Sequence, residues 1–115
     1  MSRSETVAEP ILDKEQKLDA ALEELFIREQ FYEEKRTAAA VAEYDYRIKK
    51  AVSYKIADGA VELRKMLADE MSAAEMKARF IADAESDIAK EKLLDVRACV
   101  SARQSILNAE TRRPI

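Results

Sequence analysis

The chain has no histidine and no tryptophan, one glycine, one cysteine and two prolines. Each scarcity excludes something. Without histidine the commonest general base and the commonest metal ligand are missing, and so are the Ser-His and Cys-His nucleophile pairs. Helical di-iron bundles of the usual Glu-x-x-His form are excluded on the same ground. One glycine cannot build a phosphate-cradling loop. The lone Cys99 forms no intrachain disulfide and reads as a small core residue. No apolar run approaches the ~20 residues that span a bilayer, and residues 1–9 have no signal-peptide core. These absences predict a non-enzymatic, cytoplasmic protein with no cofactor, no metal and no membrane partner.

What fills the chain is helix-forming. Charged residues make up 37% of it with both signs interleaved, and hydrophobic residues 48%, much of that alanine. This is the composition of a coiled coil or long helix, too apolar for disorder. The prolines, Pro10 and Pro114, stand near the two ends, and Pro10 suits the first turn of a helix. The expected organisation is a flexible N-terminus (1–9), one helical domain (10–112) and a tail (113–115).

Within that domain a first helix is expected over 10–57, carried by Ile11, Leu18, Leu25, Tyr32, Ala39 and Tyr46 at seven-residue steps. Leu22, Val41, Ile48 and Val52 are expected to widen that stripe. Ala57-Asp58-Gly59 then reads as a helix end and turn (58–60), because glycine takes the left-handed conformation that closes helices. A second helix follows over 61–111. Ser72-Ala73-Ala74-Glu75 fits a capping box, so a break near 71–73 stays open. Leu67, Ala74, Ile81 and Ile88 keep one seven-residue series, and Leu93, Val100 and Leu107 start another on a different face. Either the packing seam shifts there or the helix buries two faces.

The predicted fold is all-α: a long antiparallel, coiled-coil-like helical hairpin that dimerises into a four-helix bundle, with a three-helix bundle as the alternative. Charge favours the hairpin. Residues 9–34 hold nine acids against three bases, and folding back brings Arg97, Arg103, Arg112 and Arg113 beside them. Phe26, Ile27, Phe31, Phe80, Leu94 and Val96 fall outside any single stripe and are the candidates for self-association.

Residues 35–55 reverse the charge, with six bases against two acids. Here Arg47, Lys49, Lys50 and Lys55 interleave with Tyr44, Tyr46 and Tyr54. Cations with aromatics suit a single-stranded backbone and its bases, although the net charge of −3 and the dipole-favoured cations of a helix end argue for a plain structural role. Glu23-Glu24 and Glu33-Glu34 read as solvated faces, since adjacent helical residues point apart.

The segment Ala42-Glu43-Tyr44-Asp45-Tyr46-Arg47-Ile48-Lys49-Lys50-Ala51, followed by Tyr54-Lys55, with the closing Ser101-Ala102-Arg103-Gln104-Ser105-Ile106-Leu107-Asn108-Ala109-Glu110, resembles small all-helical proteins encoded by bacteriophages and prophages, of unassigned function. The resemblance spans roughly residues 40–112 and implies no site residues. It implies host cytoplasm as the setting. The leading expectation is a protein-interaction module (adaptor, inhibitor or assembly factor) that forms homodimers and meets an unknown protein partner. The alternatives are an accessory factor of phage DNA replication or recombination that touches single-stranded DNA, and a virion or tail-assembly component.

Overall fold

The computed structural model describes residues 11–112. Pro10, Arg113, Pro114 and the expected flexible ends lie outside the described residues. The chain is an all-α helical hairpin: α1 spans Ile11–Ile56, α2 Val61–Met71 and α3 Ala73–Thr111. No strand occurs among the described residues. Contacts group the chain into two units, Met1–Gln30 with Glu91–Ile115, and Phe31–Lys90.

Antiparallel pairing is recorded by ion pairs within each unit. In the first, Lys14 meets Glu110 and Glu29 meets Arg97. In the second, Lys35 meets Glu85, Glu43 meets Arg79 and Lys50 meets Asp69. As numbers rise on α1 they fall on the returning arm. Both α2 and α3 therefore face the same first helix, which makes them successive parts of one arm instead of two members of a three-helix bundle.

Gly59 makes the turn with a φ of 111°, a conformation that costs residues with a Cβ far more than glycine. A Cβ there would also stand 2.9 Å from Leu63 Cδ2. Ala60 begins α2 without a side-chain cap. Arg64 closes the turn from the other side: its guanidinium donates to the Tyr54 carbonyl at 3.3 and 3.0 Å. That carbonyl lies in the last turn of α1, where intrahelical donors run out.

Ser72 alone separates α2 from α3, with φ −103° and ψ 10°. The separation is shallow, because Ser72 N–H still donates to Ala68 O and Met76 N–H to Ser72 O. The capping box does not form. Ser72 Oγ donates back to the Ala68 carbonyl at 2.6 Å, and Glu75 Oε2 is buried without a partner. A buried serine hydroxyl thus satisfies itself on the carbonyl one turn back, which it shares with its own backbone N–H.

Burial shows where the helices face each other. On α1 the heptad stripe holds: Ala39 and Tyr46 are buried, Leu18, Leu25 and Tyr32 half-buried, and only Ile11 is exposed. Leu22, Val41, Ile48 and Val52 do not widen it, for all four are exposed. On α3 the expected change of face does not occur. Leu93, Val96, Val100 and Leu107 line the seam in the first unit, and Ser72, Glu75, Arg79, Ala82, Ser86 and Ala89 keep the same step of three and four in the second. Ala74, Ile81 and Ile88 are exposed instead. In the second unit the returning arm gives its seam positions to small and charged residues, and Ile81 and Ile88 are left outside. Cys99 is exposed as well, contrary to the core reading, because it lies one residue, about 100° of helix, from the buried Val100.

Candidate functional site

The basic, tyrosine-bearing segment of α1 divides between two faces of the second unit. Residues two apart on a helix diverge by about 200°, and Tyr44 and Tyr46 obey this: Tyr44 is 65% exposed and Tyr46 only 8%. Tyr44 and Lys49 border a shallow groove of about 400 Å³ with Ile48, Val52 and Glu75. Tyr46, Arg47, Lys50, Tyr54 and Lys55 line a larger open groove of about 530 Å³.

Lys65 and Ala68 of α2 and Arg79 of α3 complete the larger groove. It holds five cations and no carboxylate. Carboxylates stand just outside it. Arg47 donates to Glu43 at 2.7 Å, Lys50 pairs with Asp69 at 3.3 Å, and Lys65 approaches Glu62 at 3.8 Å. Arg79 lies 3.7 Å from Glu43 and 3.8 Å from Asp83, yet its Nε is buried with no hydrogen-bond partner. Lys55 has no ion pair among the described residues. The rings carry cations too: Lys50 and Arg79 lie 5.8 and 5.5 Å from the Tyr46 centroid, and Arg64 lies 4.4 Å from that of Tyr54. Lys50 is held above the ordinary lysine pKa, chiefly by its hydrogen bond to the Tyr46 hydroxyl and then by Asp69.

Sequence reasoning grouped seven residues of α1. The structure brings five of them, Tyr46, Arg47, Lys50, Tyr54 and Lys55, to the larger groove and places Tyr44 and Lys49 at the smaller one. Ala51 of the same helix joins the lining, and Lys65, Ala68 and Arg79 join it through the register of the returning arm. No motif marks that register.

The self-association candidates are distributed as follows. In the first unit Phe26, Ile27 and Leu94 are exposed while Val96 is half-buried in the seam; in the second, Phe31 and Phe80 are exposed. A further stripe, Val41, Tyr44, Ile48, Val52 and Ile56, lies exposed along α1 in the second unit. Its spacing of three and four residues gives α1 a second apolar face there.

Among the described residues no three His, Cys, Asp or Glu converge as a metal site, and no helix is long and apolar enough to cross a membrane. No protein-family profile, curated protein or solved structure matches the chain.

Proposed function

We infer that the chain is a non-enzymatic helical interaction module that pairs with a second copy of itself, as a four-helix bundle, and presents the outer helical faces of that pair to a protein partner in the cytoplasm. A prophage-encoded adaptor is the setting this reading proposes.

The observation that supports it is the imbalance between covered and uncovered apolar residues. Among the described residues the buried hydrophobics are Ala39, Tyr46, Ala68, Ala89, Leu93 and Val100, while Phe26, Ile27, Phe80 and the Val41–Ile56 stripe of α1 stay exposed. Three alanines in a core contribute little transfer free energy, whereas full burial of one Val, Leu, Ile or Phe is worth about 1.5–3 kcal/mol. Large contiguous apolar patches are uncommon on monomers. A second copy offers the same apolar stripe at matched spacing, and a two-fold pairing needs no further component.

The concentration dependence of thermal unfolding tests this. A folded dimer gives a Tm that rises with protein concentration, since association stabilises only the native state. Ile48→Glu with Val52→Glu should remove that dependence. A wild-type Tm that stays constant over a hundredfold range of concentration counts against the reading.

A further inference from the structure

We propose that the larger groove of the second unit binds a phosphorylated ring compound: a nucleotide, either free or within a single strand. The inference stands apart from self-association, since the groove is formed within one copy.

Its cations are incompletely satisfied. Lys55 has no ion pair among the described residues. Lys65 reaches only to Glu62, at 3.8 Å. Arg79 holds two carboxylates at 3.7 and 3.8 Å, well beyond the ~2.7–2.9 Å of a charge-assisted hydrogen bond, and its Nε has no acceptor. Cationic residues of α1, α2 and α3 line the groove, and an anion with acceptors pointing several ways could meet them from one position. A phosphate offers that, and a planar carboxylate offers two acceptors in one plane.

The rest of the groove suits a flat apolar body. Ala51 and Ala68 keep the lining low, and Tyr54 lends its ring. Arg64 does not line the groove but lies 4.4 Å from that ring, so a base placed on Tyr54 would extend a stack already begun with a guanidinium. A volume of about 530 Å³ lies within the roughly 300–1,000 Å³ of small-molecule sites. Binding must draw Arg47 and Lys50 partly away from Glu43 and Asp69. Both cations are exposed, so that exchange is weakly opposed and sensitive to salt.

The test is an amide NMR titration of the full chain at low salt with adenosine triphosphate, a twelve-residue oligothymidylate, adenosine and a glutamate-rich peptide. The expected result is saturable shifts at residues 46–55 and around Lys65 and Arg79 with a phosphorylated probe, and none with adenosine. Tighter binding of the oligothymidylate assigns the site to a strand; tighter binding of the triphosphate assigns it to a free nucleotide. Lys55→Glu with Lys65→Glu changes two exposed side chains and should weaken binding by about tenfold or more, as loss of phosphate contacts does. Circular dichroism checks that the variant keeps its helices. The proposal is overturned by no saturable shift with either phosphorylated probe, by an equal response to adenosine, by a response to the acidic peptide alone, or by unchanged affinity in the double variant.

Discussion

Lys14 Nζ lies 2.9 Å from Glu110 Oε1, with the two side chains only 11% and 24% exposed. The pair occupies seam positions near the start of α1 and the end of α3 and fastens that end of the first unit. Its burial lifts it above a surface salt bridge. A double-mutant cycle with Lys14→Met and Glu110→Gln should give a coupling of about 1–3 kcal/mol, between the exposed and the buried range for ion pairs. A coupling near zero by urea unfolding would place the pair with solvated surface bridges.

The turn makes a sharper prediction. Gly59→Ala meets both a φ of 111° and a methyl contact 2.9 Å from Leu63, so it should destabilise by roughly 1–3 kcal/mol. Adding Leu63→Ala removes the contact but leaves the backbone strain, so relative to Leu63→Ala alone the glycine change must still be destabilising. If the two changes together cost no more than Leu63→Ala alone, the backbone at residue 59 is not strained.

Ala60 leaves room for improvement. It begins α2 with extended backbone and no side-chain cap, and a capping Ser, Thr, Asp or Asn is worth about 0.5–2 kcal/mol over alanine. Ala60→Asp should therefore raise the urea midpoint without changing the slope of the transition. A lowered midpoint would mean that residue 60 does not act as the cap of α2.

Lys50 supplies the pH dependence. Its folded pKa is raised above its ordinary value of 10.5, so its contribution to stability is complete below that value. The contribution is lost as pH climbs through the higher folded pKa. Asp69→Asn should bring the Lys50 titration midpoint down toward the ordinary value, observed at the lysine Cε by NMR. An unmoved midpoint would show that Asp69 does not favour the ammonium.

The exposed Cys99 should react with a disulfide reagent in the native protein about as fast as in denaturant. Protection in the native state would return it to a core.

Much of the helical layout was legible, and the reason is local. Gly59 and the heptads from Leu18 to Tyr46 act through the chain's own conformation, so a sequence reports them directly. Ile81 and Ile88 misled for a physical reason. They are the larger apolar residues, and size alone nominates them for burial over Ser86 and Ala89. The seam took the small residues, which let helix axes approach closely, and left the isoleucines exposed. The groove was half legible for a related reason. Arg47, Lys50 and Tyr54 share one helix face, but Lys65 and Arg79 join them only through the pairing of distant segments. Glu75 and Arg79 were hidden too, since nothing in their neighbours marks charged residues for a seam.

Sedimentation equilibrium at micromolar concentration tests the central claim most directly, because the apolar stripe of α1 either finds a second copy or stays wet. The account predicts a species of twice the 13.0 kDa chain mass, reduced to the single mass when Ile48 and Val52 are both changed to glutamate. A wild-type chain that sediments as a monomer throughout that range would contradict it.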